Sequence, residues 1–140
     1  MSEWTIISNP ARVFGFVQQH VPIYATGGMQ GLGLEKDGEL VAGVLYEGFN
    51  GVNAWMHVGA TPGKRWMTKT FLRAAFVYPF VQLGCKRVSG YVEASNMVAR
   101  EFDEHLGFKQ EAVLQGAASD GGDVILYVMR KEDCPYVDSK

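Results

Sequence analysis

The stretch from Val88 to Phe108 most constrains the fold of this chain. A strand-like run, a polar corner, an amphipathic helix and a glycine stop follow one another there. Ser95 or Asn96 can cap the helix by accepting a bond from an orphan backbone N–H. Val98, Ala99, Phe102 and Leu106 recur at helical spacing and are expected to form one apolar stripe. Arg100, Glu101, Asp103, Glu104 and His105 are expected on the other face. Gly107 can supply the left-handed residue that ends the helix, and Phe108 the apolar residue that folds back after it. A strand feeding a helix in this way is a building unit of α/β domains.

The remaining composition fits one soluble domain with a single core. The chain has 140 residues, 47% hydrophobic and 20% charged. A net charge of -2 and a pI near 5.9 give no electrostatic reason to bind nucleic acid or an anionic membrane. No apolar run approaches the ~20 residues of a membrane span. The start, Met1 to Ile6, lacks the basic head and apolar centre of a signal peptide, so a cytoplasmic protein is expected. Cys85 and Cys134 are isolated, without CxxC spacing or a nearby His pair, as for reduced thiols outside any zinc site.

Along the chain, Asn9-Pro10 predicts the start of a first helix, with Val13, Phe14 and Val17 on its apolar face and an end at His20 to Pro22. Gly31 to Lys36 and Leu40 to Tyr46 read as strands joined by a tight hairpin signal, Lys36-Asp37-Gly38-Glu39. Val52 to Val58 reads as the third strand of this meander. A long helix is predicted from about Lys64, with Met67, Phe71, Ala74, Ala75 and Tyr78 on one side, kinked or stopped at Pro79. Because this helix separates Val52–Val58 from Arg87–Val92, those strands are expected to run parallel, and to splay at their C-terminal ends. Lys109 to Gln115 and Val124 to Met129 read as a hairpin, and the tail after Arg130 as polar and poorly packed.

Asn96 at the corner, Ala99 three residues on and Leu106-Gly107-Phe108 at the end resemble the fourth-helix signature of the GNAT superfamily of N-acetyltransferases. The order helix, three-strand meander, helix, strand, helix, hairpin is similar to that fold over about residues 31–130. One N-terminal helix stands where the family usually has two. Asp120-Gly121 and Asp123, followed by Tyr127, Met129 and Arg130, resemble the hairpin of the branch that acetylates ribosomal-protein N-termini and polyamines. The resemblance implies one α/β GNAT-like domain over 1–140: a mixed sheet flanked by helices, with 1–30 a short helical segment and 131–140 a tail. It implies acetyl transfer from acetyl-CoA, as co-substrate, to a primary amine of a small molecule or protein, without a metal. A homodimer is a further expectation.

A helix N-terminus offers free N–H groups to a pyrophosphate, and splayed parallel strands offer unpaired backbone to a pantetheine arm. The resemblance puts that site at Val58, Gly59, Gly63, Lys64, Arg65, Trp66 and Asn96. The family's Arg and glycines are replaced here by Gly63, Lys64, Trp66 and Thr68, so Lys64, Arg65 and Lys69 would have to neutralise phosphate with side chains, and Trp66 would narrow the site or turn outward. Gly59-x-x-x-Gly63-Lys64 is one residue too short for a P-loop and lacks its Ser or Thr.

Glu93, at the exit of its strand, and His57, beside Val58, are the candidate general bases. Tyr46 and Tyr91 are further candidate donors, with core packing as their expected role. Where many GNAT enzymes carry a Tyr that protonates the leaving thiolate, this chain has Asp103. An ordinary carboxylate is a poor donor at neutral pH, so Asp103 is expected at the surface. The rival reading is a GNAT-shaped binding or phage assembly component without transferase activity.

Overall fold

The computed structural model describes residues 3–63 and 65–137. Lys64, expected to open the second helix and to touch phosphate, lies outside the described residues. Among the described residues seven strands form one mixed sheet: β1 (Trp4–Ile7), β2 (Gln30–Lys36), β3 (Glu39–Glu47), β4 (Asn53–Ala60), β5 (Arg87–Glu93), β6 (Lys109–Leu114) and β7 (Val124–Arg130). Their order is β1-β2-β3-β4-β5-β7-β6. The helices are α1 (Pro10–Val17), α2 (Lys69–Val77) and α3 (Met97–Leu106). β1 was not among the strands expected from sequence. It is a short edge strand that exists by pairing, Trp4 opposite Lys36 and Ile7 opposite Gly33. No helix among the described residues is long and apolar enough to cross a membrane.

The meander follows its turn chemistry. Asp37 and Gly38, with φ of 53° and 88°, form the mirror-image turn whose twist suits a two-residue hairpin. Asn9 caps α1 by accepting the Arg12 N–H at 3.1 Å. Val13 and Val17 then pack with Leu45 on one face of the sheet. The helix sits close because the strands beneath it carry glycine. A Cβ at Gly43 would stand 2.9 Å from a Val17 methyl, and one at Gly59 3.2 Å from the Val17 Cα.

The second helix departs from expectation. It begins at Lys69, capped by Thr68, whose hydroxyl accepts the Phe71 N–H at 3.1 Å. Residues before the cap stay irregular, so Met67 is not part of the helix and is exposed. At the other end Pro79 has no N–H to return to the Ala75 carbonyl. The Tyr46 hydroxyl donates to that carbonyl instead, at 2.5 Å. The chain relaxes into a π turn over Tyr78–Gln82, with the Leu83 N–H bonding to the Tyr78 carbonyl at 3.0 Å. Tyr46→Phe leaves the buried carbonyl without its donor and is expected to cost roughly 1–3 kcal/mol, read as a lower urea midpoint with an unchanged slope.

Helix α3 has the ends expected of it. Asn96 accepts the Ala99 N–H at 3.2 Å, Gly107 is left-handed at φ 115°, and the Phe108 N–H returns to the Asp103 carbonyl. Its inward stripe is rotated from the expected one. Phe102 and Leu106 pack into the core, but Val98 is 81% exposed. One residue is about 100° of helix. Ala99, Phe102, Asp103 and Leu106 therefore share the inner side, and Val98 falls a quarter turn away.

The main core lies between the sheet and the α2–α3 pair, with Phe71, Phe76, Phe80, Phe108 and Tyr127 at its centre. The tail is part of it, contrary to expectation. After a short turn at Lys131–Asp133, Cys134 and Val137 are buried and the Tyr136 ring stacks on Phe76 at 4.9 Å. The Tyr136 hydroxyl donates to the Leu106 carbonyl, closing the end of α3. The apolar side chains of an otherwise polar tail find a seat that Phe76 provides.

Candidate active site

Strands β4 and β5 run parallel and pair only at their beginnings, where Asn53, Ala54 and Trp55 meet Arg87, Val88 and Ser89. Beyond that point β4 stays with β3 as far as Ala60, and β5 stays with β7 as far as Glu93. The two strands part, and their facing backbone edges are left unpaired with each other. A cavity of about 360 Å³ fills the gap.

Alternation along the strands gives the cavity two sides. Met56 and Val58 turn toward α2 and α3, whereas Gly59 meets α1, and His57 with it. The helix side is walled by Met56, Val58, Ala99, Phe102, Asp103 and Phe108. The opposite side is walled by His57, Tyr91, Glu93, Ser119 and the segment Val21 to Tyr24.

Among the expected site residues, Val58, Asn96, His57 and Glu93 come together around this cavity. Asn96 also serves as the cap of α3. Gly59 does not face the gap, since its bare Cα accommodates α1. Gly63 sits in an exposed turn at φ 77° and Arg65 is exposed, both outside the cavity wall. Trp66 neither lines the cavity nor turns outward. Its ring packs on Phe102 at 5.0 Å and edge-on to Phe71 at 6.2 Å, joining the loop before α2 to α3. Tyr46 is in the core as expected, but Tyr91 is 44% exposed at the cavity rim.

The titratable groups differ sharply in environment. His57 is buried, and its Nε2 donates to the Glu47 carboxylate at 2.5 Å. Burial pulls the imidazole below its ordinary value, and the hydrogen bond and charge of Glu47 only partly oppose this. The Tyr91 ring meets it edge-on at 5.2 Å. Glu93 commits one oxygen to Ser119, accepting its backbone N–H at 2.8 Å and its hydroxyl at 2.6 Å. That bond ties the long β6–β7 connection to the cavity wall.

Asp103 is not at the surface as expected. It is half-buried on the inner side of α3 and lines the cavity. Burial first, and the neighbouring Glu104 charge second, raise its carboxyl from the ordinary 3.8 to about 7. Its position four residues after Ala99 and three before Leu106 was a sequence signal for this placement. Glu47 carried no local signal, because only strand register brings it to His57.

A larger hollow of about 580 Å³ lies between the β1–β2 edge and α2, with Ile6, Leu32, Tyr46, Arg73 and Tyr78 in its wall. Among the described residues neither a carboxylate nor an imidazole lines it, and it stands apart from the strand gap.

A mixed sheet opened between two parallel strands, with a capped helix over the opening, is the GNAT fold. The spermidine N-acetyltransferase SpeG from Vibrio cholerae is similar over nearly the whole chain. A point mutant of it superposes with a TM-score of 0.76 at 14% identity, covering 97% of this chain and 97% of that one. Its complex with manganese ions gives 0.72 at 15% identity, over 91% and 92%. No family model and no curated protein sequence matches the chain.

Proposed function

We propose that this protein is an N-acetyltransferase that moves an acetyl group from acetyl-CoA to a primary amine of a small molecule or protein. One observation carries the reading: a cavity at the strand gap holds an imidazole whose proton affinity burial lowers and a carboxyl that burial raises to about 7, so that a large fraction keeps its proton near neutral pH. These opposite shifts leave the imidazole free to accept a proton and the carboxyl able to give one.

In this mechanism His57 takes a proton from the incoming ammonium on the α1 side. The freed amine attacks the thioester carbonyl, and a backbone N–H of β4 beside Val58 stabilises the oxyanion. As the C–S bond breaks, Asp103 gives its proton to the departing thiolate, and the proton left on the acylated nitrogen is lost to solvent, yielding the neutral amide and free coenzyme A. Glu93 is the second candidate base. Asn96 and the unpaired edge of β4 suit the amide-rich arm of the donor, and Lys64 and Arg65 are assigned to its phosphates. Acyl-CoA and the amine are the expected partners, in the cytoplasm.

The altered loop favours a second reading, a GNAT-shaped component that binds or assembles without transferring acetyl groups. Trp66, held on Phe102, is the observation behind it. Calorimetric titration with acetyl-CoA, followed by an assay on a panel of amines, separates the two. The transferase reading expects binding and turnover, and the second reading expects neither. Replacing Lys64 and Arg65 together by Ala is expected to weaken coenzyme A binding on the order of a hundredfold, the sum of two charge-assisted contacts. Unchanged affinity would place the phosphates elsewhere. His57→Ala is expected to cost ~10²-fold or more in kcat, with loss of the acidic limb of the pH–rate profile. The same loss in Glu93→Gln alone would move the base to Glu93.

A further inference from the structure

We propose that Glu47 is the positioning residue of the base: it fixes His57 in one tautomer and, through Thr26, couples it to the segment that walls the acceptor side. This rests on the transferase reading for its consequence and on geometry alone for its existence.

Strand register brings the pair together. Leu45 of β3 stands opposite His57 and Glu47 opposite Trp55, so Glu47 is the diagonal neighbour of His57 on the same face. An ionised carboxylate can only accept, so Nε2 carries the proton and Nδ1 remains as the basic nitrogen. The other carboxylate oxygen accepts from the Thr26 hydroxyl at 2.9 Å. Both oxygens are therefore occupied, one by the imidazole and one by the irregular segment that contributes Val21 to Tyr24 to the cavity.

Burial makes the arrangement more than incidental. The His57 side chain is 4% exposed and that of Glu47 18%. A surface ion pair contributes little, but a carboxylate against a desolvated imidazole stabilises the imidazolium that forms when the amine gives up its proton. The proton passes from the ammonium nitrogen to Nδ1 and later to solvent, while Glu47 keeps its hydrogen bond to Nε2. The other titratable groups lining the cavity are Tyr24, Tyr91 and Glu93 on the same side and Asp103 from α3.

The test reads His57 directly, by NMR titration of the imidazole in the wild type, Glu47→Gln and Glu47→Asp. Glu47→Gln keeps an acceptor but removes the charge, so the imidazole is expected to titrate at lower pH. The acidic limb of the pH–rate profile should move the same way, and kcat should fall on the order of tenfold. Glu47→Asp keeps the charge and should restore the titration toward the wild type. Thr26→Val should leave the titration in place and raise KM for the amine. An imidazole titration unmoved in Glu47→Gln, or a rate loss that merely tracks a lower Tm, overturns the proposal. In a chain that transfers acetyl to no amine, the titration still decides: a shift supports the pairing while the transferase reading fails, and no shift overturns the pairing.

Discussion

Asp103→Asn is expected to abolish most turnover and, at the same time, to make the protein more stable above mildly acidic pH. The two effects have one cause. The carboxyl is held at about 7 in the fold against an ordinary 3.8, chiefly by burial. Below pH 3.8 it is protonated in both the folded and the unfolded chain, and the site costs nothing. Between 3.8 and about 7 the unfolded chain releases the proton while the fold retains it, so folding is penalised increasingly as pH rises. Above about 7 both states are ionised and the penalty is constant. Asn never ionises and escapes it. At about 1.4 kcal/mol per pKa unit, the gain at pH 8 is a few kcal/mol at most, and it should vanish near pH 3. An amide has no proton of suitable acidity for a thiolate, so kcat should fall by ~10²-fold or more. Denaturant melts at pH 3, 6 and 8, together with steady-state rates, test both halves. A variant equally stable at every pH would put Asp103 in an ordinary solvated environment. Full activity would remove it from the chemistry.

Phe76→Ala should be among the most destabilising single changes in the chain. The ring is 1% exposed and lies among Phe80, Phe108 and Tyr136 at centroid distances of 6.3, 6.1 and 4.9 Å. Its loss removes the transfer energy of an aromatic side chain and leaves a cavity walled by rigid rings, together roughly 3–5 kcal/mol. For a chain of this size that is roughly 10–15 °C in Tm. The same contact makes a statement about the tail. Ending the chain after Arg130 removes Cys134, Tyr136 and Val137 from the core, so it too should destabilise. Because Tyr136 and Phe76 touch, the combined loss should be smaller than the sum of the separate ones. A truncation with no effect on Tm would detach the tail from the fold.

Local rules were legible wherever a few neighbouring residues settle the outcome. Asn9 and Asn96 cap their helices, Asp37-Gly38 turns the first hairpin, and Gly107 ends α3, each within one turn of backbone. The parallel pairing of β4 with β5 was also legible, because a helix between two strands leaves the chain only a crossover to bring them together. The start of α2 was misread because Thr68 competes for the same N–H groups as a helix begun earlier, and the cap wins. Pro79 was expected to break the helix, yet the break became a π turn because Tyr46, far away in sequence, supplied the missing donor.

Sequence by itself thus determined the order of the elements from α1 onward, the caps of α1 and α3, the first hairpin turn, and a strand–helix unit that opens a sheet. It also named His57 and Glu93 as groups of the right chemistry near that opening. Tertiary structure alone decided what those groups can do. Register across β3 and β4 delivered Glu47 to His57, and the β6–β7 connection occupied Glu93 through Ser119. The inner side of α3 drew Asp103 out of water, and Trp66 turned to Phe102. Caps and turns rest on bonds made within a few residues, which the sequence writes down in order. Proton affinity and side-chain direction depend on which distant atoms exclude water or lie a few ångströms away, and only the folded chain sets those distances.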